Sequence, residues 1–548
     1  MLSRSLPFLA LVLGVAGGSF AVPAVGAEPP PVTAAAEQPA KPADAGAPPA
    51  SATPVGFASE FAERLGASDK LAPRDREERA ALLTFYAARQ HEPIWTTTAG
   101  LTPAAQLAVS ELRRADEWGL DAAAFPLPAP PAGGADWSRT ARADAEIALS
   151  LALLRYARHA HGGRAEPTSL SRNLDRKLPL LEPQQVIEQA SKAAEVDAYL
   201  RSLHPQHPQF EALRQKYLAV KRGQPVAQAE VAPAEVNKKT GKKQSAAPET
   251  PSLRRLTVNM EQWRWMPDQL GDLYVWVNVP EFTLRVVKDG KVIHTERVIV
   301  GKPETPTPVF SQDLEQVIFH PSWGVPESIK RQDILPSLKR GSTRLFTHYK
   351  LRIQRGGRDV DPASVDWETA DIRNFHVYQP PGETNVLGVV KFRFPNKHDV
   401  YMHDTPTKTL FNAPVRTFSH GCMRVRDPLR LAELLLTEDQ SWPAGRVASV
   451  VNGGQQNNQV SFTRKIPVHI TYFTAAVDEA GKLKQFADIY GHEQRIGLGM
   501  EGKAHLVAQL VKEEKPAQAD AIGRLSETAT GGAMRSKKEW INNAFGNH

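Results

Sequence analysis

A stretch rich in proline, alanine and lysine, residues 222–252, separates two kinds of sequence that one packed layer cannot serve. Before it, apolar residues recur at helical spacing. After it, they recur at strand spacing, and a single buried face cannot follow both periods. Lys238-Lys239-Thr240-Gly241-Lys242-Lys243 lies inside the stretch and reads as part of a solvated linker. The expected architecture is multi-domain α+β, with a helical accessory (scaffold) domain over 56–221 and a mostly β domain over 253–495. At 548 residues the chain has room for both.

In the helical part, Thr102 followed by Pro103 predicts an N-cap with a first-turn proline. Ala105, Ala108, Val109 and Leu112 continue at helical spacing, and Gly119 closes the segment. Residues 141–160 predict a second helix with Ile147, Leu151 and Leu154 along one face. Trp95 and Trp118 are read as core, since no chemistry-bearing cluster accompanies them. Ahead of this part, residues 1–27 read as a secretory signal peptide: Arg4, an apolar run from Leu6 to Val15, then Val25-Gly26-Ala27 as a cleavage site. Residues 28–55 read as a disordered Pro/Ala-rich tether. The mature protein is therefore expected to be soluble outside the cytoplasmic membrane, with no membrane span after signal cleavage. The net charge of +7 is dispersed and no recognition motif accompanies it, so nucleic acid is not an expected partner.

In the β part, Leu273, Val275, Val277 and Val279 alternate with Tyr274, Trp276 and Asn278, which predicts a strand buried on both faces. Asp289-Gly290 between two strand-like runs predicts a tight hairpin. Further strands are expected near 317–319, 389–394, 400–403 and 466–472. One short helix is expected over 427–436, with Asp427 as cap and Pro428 at its start. Residues 496–548 are expected to be a poorly ordered tail with at most a short helix.

The chain has a single cysteine, Cys422, within Ser419-His420-Gly421-Cys422-Met423-Arg424-Val425. No internal disulfide can form, and a thiol flanked by His and Gly has the composition of a nucleophile site. His403, on a neighbouring strand, is the expected general base for the thiol and general acid for the leaving amine. As its activator it is expected to hold Cys422 as a low-pKa thiolate. The backbone carbonyl of Asp404 is expected to fix the imidazole tautomer. Gly421 is expected to turn the backbone so that nearby N–H groups form an oxyanion hole. His420 is read as orienting this loop, with a second catalytic base as the alternative. Arg424 either pairs with a substrate carboxylate or braces the loop. Sixteen histidines raise the question of a metal, but neither H-E-x-x-H nor Cys-x-x-Cys occurs, so neither metal nor cofactor is expected.

These residues resemble the L,D-transpeptidase family, whose catalytic domain is called YkuD-type. The motif is His403, a gap over 404–418, then Ser419-His420-Gly421-Cys422. Pro321-Ser322-Trp323-Gly324, Asn385-Val386-Leu387-Gly388, Lys391-Phe392, Tyr401-Met402-His403-Asp404 and Asp488-Ile489-Tyr490-Gly491 resemble its large periplasmic cross-linking branch. The resemblance covers roughly 253–495 and implies a capping insertion, a lid over about 337–385. It also implies substrate contacts from Tyr401, Trp323, Ser419, Asp404 and Arg424.

The implied reaction is peptidoglycan cross-linking. Cys422 takes the acyl group of a tetrapeptide stem, releasing D-Ala, and passes it to the diaminopimelate amine of a second stem as a 3→3 cross-link. Acylation of Cys422 by carbapenems is a further implication. Two alternatives remain: an L,D-carboxypeptidase using the same cysteine, and a non-enzymatic wall-binding protein. A dedicated peptidoglycan-binding module, common in large members, is absent from the place that residues 222–252 occupy.

Overall fold

Local capping decides where the N-terminal helices begin. The computed structural model describes residues 55–66, 71–129, 136–229 and 251–513. The expected signal peptide, nearly all of the tether, and the Lys238–Lys243 run lie outside the described residues. The Thr102 hydroxyl accepts the Ala105 N–H at 3.2 Å, and the helix runs Pro103–Arg113. A single 3-10 turn, Ala115–Trp118, then ends at Gly119, whose φ of +69° suits a residue without Cβ. Ser138 caps the longest helix, Arg139–Gly162. Phe61, Leu82, Tyr86, Trp95, Leu112 and Leu149 share one core with it. Trp118 stacks on His204 at 4.1 Å and donates to Glu111 at 2.8 Å, a packing role. The fully buried Glu146 accepts from Tyr86 Oη at 2.6 Å, Ile94 N–H at 2.7 Å and Thr96 Oγ1 at 2.8 Å, so it closes a structural network.

The β character starts later than expected. Residues Leu253–Arg264 form a helix capped by Ser252, not a strand. Its apolar residues Leu256, Met260 and Trp263 pack with Phe210, Leu213, Tyr274 and Phe473, joining the helical part to the sheet. Asn259 is completely buried and accepts from the N–H groups of Thr474 (2.8 Å) and Ala475 (3.1 Å). The first linker residues are also tied down, because Ala229 N–H donates to Leu483 O at 3.0 Å.

Eleven strands form the main sheet among the described residues. They are β1 Leu273–Asn278, β2 Thr283–Lys288, β3 Lys291–Gly301, β4 Ser311–Asp313, β5 Gln316–Phe319, β6 Val390–Arg393, β7 Met402–His403, β8 Thr417–Ser419, β9 Met423–Val425, β10 Asn458–Ser461 and β11 Pro467–Thr471. Their order is β10-β5-β6-β7-β9-β3-β2-β1-β11-β4, with β8 also pairing β3. β4 ends one side of this order, while β5, which follows it after Leu314-Glu315, stands near the other side. Two residues cannot cross a flat sheet of this width, so the sheet curls back on itself. Asp289 and Gly290 take positive φ (48° and 74°) in the β2–β3 hairpin, as their sequence predicts. The expected helix at Asp427 runs Pro428–Gln440.

Between β5 and β6 a second, four-stranded sheet is inserted. Its own core includes Trp323, Ile334, Phe346, Trp367, Phe375 and Val377. The insertion is therefore wider than 337–385 and starts at Trp323. Asn385, fully buried, bonds Pro321 O at 3.1 Å and Pro380 O at 2.9 Å, pinning the base of the insertion. Of the tail expected from 496 onward, residues up to 513 are described: the chain is helical at His492–Met500 and at Ala504–Glu513, the short helix that the sequence allows, with Val507 buried in the main core, and 514–548 lie outside the described residues. No helix among the described residues is long and apolar enough to cross a membrane.

His469 and His492 are buried, and loss of water pushes them down to about 4 and about 3. An unfolded chain would protonate both as pH falls through about 6.5. The folded chain would not until pH is some two to three units lower. The unfolded state therefore holds more protons in that window, so stability rises with pH across it and is lost on acidification. We expect the thermal midpoint to fall steadily from pH 6.5 to 4 by circular dichroism, and His469→Gln to flatten that slope.

Candidate catalytic site

Strand register builds the site. β7 lies parallel to β9, with Met402 opposite Met423 and His403 opposite Arg424. One residue back, the same register sets Tyr401 opposite Cys422. Side chains alternate along a strand. Met402 and Met423, both 0 % exposed, point into the core, so Tyr401, His403, Cys422 and Arg424 share the other face. β6 adds Lys391, opposite His403, to that face. Strands about 4.8 Å apart with a rise of about 3.3 Å per residue put the α-carbons of His403 and Cys422 about 8 Å apart on the diagonal. Two side chains directed toward each other span such a gap.

The Tyr401 hydroxyl and backbone N–H both donate toward the Cys422 sulfur. The indole N–H of the buried Trp323 donates to the Tyr401 hydroxyl. The His403 ring packs edge-on against Tyr401 at 5.6 Å. Its Nδ1 donates to the Asp404 carbonyl, leaving Nε2 as the basic nitrogen. Before the thiol, Gly421 has φ +113°, a conformation glycine adopts without strain. The Thr307 hydroxyl donates to the Gly421 carbonyl at 2.8 Å. The Tyr490 hydroxyl donates to Gly301 O at 2.6 Å and accepts the Thr307 N–H at 3.3 Å, bracing this turn from behind.

Residues 272–451 match the model of the L,D-transpeptidase catalytic-domain family, YkuD, and residues 80–216 match a scaffold-domain model. Over residues 272–451 the chain is similar to the YkuD-type L,D-transpeptidase catalytic domain. A Haemophilus influenzae protein named "Putative L,D-transpeptidase" is 34 % identical over 246 residues, 45 % of this chain and 49 % of that protein. The chain thus matches about half the length of this curated relative. Among solved structures, an L,D-transpeptidase from Mycobacterium smegmatis aligns over 36 % of this chain and 58 % of its own, at 14 % identity and TM-score 0.17. One from Enterococcus faecium aligns over 37 % and 50 %, at 13 % identity and TM-score 0.14.

Within the matched region, three expected roles need correction. Ser419, expected to touch substrate, is buried, accepts the Gly421 N–H at 3.2 Å and donates to Cys422 O at 2.5 Å. It holds the turn together. The Gly421 amide is thereby occupied and is not a free oxyanion donor. Asp404, also expected at the substrate, turns its carboxylate to Val389 N–H at 2.9 Å and Lys408 Nζ at 2.5 Å. A Cβ on Gly388 would sit 2.1 Å from that carboxylate, so glycine there makes room for it. His420 is half-buried, and burial with the charges of Lys302 and Arg424 lowers it to about 4. Arg424 is buried beside His403, and its Nη1 has no hydrogen-bond partner among the described residues.

A further correction concerns the thiol. Burial raises Cys422 to about 11, against the opposing pull of Tyr401 and Lys391. Burial, then the Arg424 charge, lowers His403 to about 3. The resting pair is therefore neutral thiol and neutral imidazole, not the expected thiolate. The expected result is slow iodoacetamide alkylation at pH 7, with a rate still climbing above pH 9. A plateau near the free-cysteine value of about 8.5 would contradict it. Thr307, Tyr490 and Lys391 escaped assignment from sequence because each acts through a neighbour brought close only by the curl of the sheet.

Proposed function

We propose that this protein is a peptidoglycan L,D-transpeptidase with Cys422 as nucleophile. The reading is supported above all by one face of β7 and β9 carrying thiol, imidazole and buried guanidinium, inside a domain of that family. As sulfur attacks the acyl carbon between the L-centre of diaminopimelate and terminal D-Ala, His403 Nε2 takes the thiol proton. The C–N bond breaks, the D-Ala amine leaves with that proton, and a thioester remains. The amine of a second stem's diaminopimelate then attacks the thioester and gives its proton to His403. Sulfur leaves and is reprotonated, and a 3→3 cross-link results. With the Gly421 amide occupied, we assign the oxyanion contact to the Cys422 amide, next along the turn. No metal or cofactor enters the scheme. The sequence of residues 1–27 supports the periplasm as its place of work.

The buried Arg424 guanidinium is assigned to a stem carboxylate. A charge-assisted hydrogen bond of about 1.5–3 kcal/mol makes Arg424→Met raise KM for donor stem roughly 10- to 100-fold, with a smaller change in kcat. Initial rates of D-Ala release against stem concentration check this.

The test of the function is mass spectrometry of tetrapeptide muropeptides incubated with the protein and with Cys422→Ala. A Cys422-dependent dimer that has lost one D-Ala supports transfer. Tripeptide monomer alone would replace it with the carboxypeptidase reading. Identical products from both proteins would overturn it.

A further inference from the structure

Among the described residues, Lys391 is a cation on the site's face that the mechanism above leaves idle. It stands on β6 directly opposite His403, and its Nζ lies 3.9 Å from the centre of the Tyr401 ring. Tyr401 in turn donates to the Cys422 sulfur. The ammonium is thus held against the ring that touches the thiol, on the same face and within reach of its field. Lysine is a strongly hydrated point charge, costly to hold against apolar surroundings without an anion to face. Asp399, at the turn before β7, is one anion near it, and its backbone has φ +51°, uncommon outside glycine. The sulfur becomes the second once its thiol has lost the proton.

We propose that Lys391 is a positioning residue whose ammonium stabilises negative charge on Cys422 as His403 removes the proton. The inference rests on the transpeptidase reading for its purpose, but its test does not need a peptide substrate. The need for such a charge follows from the neutral resting pair: imidazole alone has a weak hold on the proton it must take. The other charged or titratable groups facing this point are Asp399, Arg393, Tyr401, His403 and Arg424. Asp399 opposes Lys391 at the sulfur, raising the thiol where Lys391 lowers it.

The experiment is the rate of Cys422 alkylation by iodoacetamide, followed by intact mass from pH 7 to 10. It compares the wild-type chain with Lys391→Met, Lys391→Arg and Asp399→Asn, and circular dichroism confirms folding. An opposite charge at about 4–6 Å moves a pKa by one unit or more. Lys391→Met should therefore alkylate about tenfold more slowly at pH 8, with Lys391→Arg restoring most of the rate. A Lys391→Met profile that overlays the wild type would overturn the proposal and leave a structural Lys391–Asp399 pair. Should Lys391→Met fail to fold, Asp399→Asn decides. Severalfold faster alkylation supports the proposal, and an unchanged rate overturns it. Failure of muropeptide transfer with a normal Lys391 effect would sink the substrate assignment alone.

Discussion

Replacing His403 by glutamine is expected to lower kcat for D-Ala release by about 10²- to 10⁴-fold, the usual contribution of a positioned general acid–base. Two features set the expectation. The Nδ1–H is committed to the Asp404 carbonyl, so the tautomer presents a lone pair at Nε2 on the face shared with Cys422. And the thiol does not ionise by itself near neutrality, because burial holds it at about 11. Glutamine can still donate to the Asp404 carbonyl, so the strand pairing survives while the base is lost. Stopped D-Ala release assays at pH 8 would measure the effect, with melting curves to establish that the variant is folded. A loss smaller than tenfold would show that another group takes the proton. His420 is the first to examine, since it stands two residues before the thiol.

Glu261→Ala is expected to destabilise the protein by about 3–5 kcal/mol, the cost of stripping the partner from a buried charge. Glu261 and Arg264 are both completely buried and 3.7 Å apart. Glu261 also accepts the Ala165 N–H at 2.9 Å and the Arg164 N–H, at the end of the longest helix. Arg264 reaches Trp118 O at 2.7 Å. Alanine would leave a buried guanidinium and two orphaned amides at the point where the helical part meets the helix that carries the sheet. Urea unfolding followed by tryptophan fluorescence gives the magnitude. The same curves should change shape, from one transition to two, because this helix is the shared element. A loss under about 1 kcal/mol would mean that water replaces the carboxylate without difficulty.

Much of this was legible in the chain itself, where the information is local. Thr102-Pro103 specifies a helix start through one hydroxyl and one ring, and Asp289-Gly290 specifies a hairpin through two positive φ angles. The motif around Cys422 marks a candidate chemical site because a thiol beside histidine and glycine has the composition of a nucleophile site. Helix Leu253–Arg264 was misread as β because its amphipathic run adjoins strand sequence, and only packing against Phe210 and Phe473 resolves the period. That Val507 of the short helix Ala504–Glu513 is buried in the main core is not legible in the sequence, because periodicity does not report which core a short helix joins.

Sequence alone determined which residues can react and which local segments turn or coil, because those properties belong to side chains and short stretches of backbone. Tertiary structure alone decided which polar groups are consumed and which are left to act. Ser419 and Asp404 look like substrate contacts in the motif, yet the curled sheet turns them onto Gly421, Val389 and Lys408. Lys391 looks like one more strand residue, yet register sets it across from His403 and over Tyr401. The protonation of Cys422 likewise depends on burial, and burial is a property of the packed fold, not of any residue by itself.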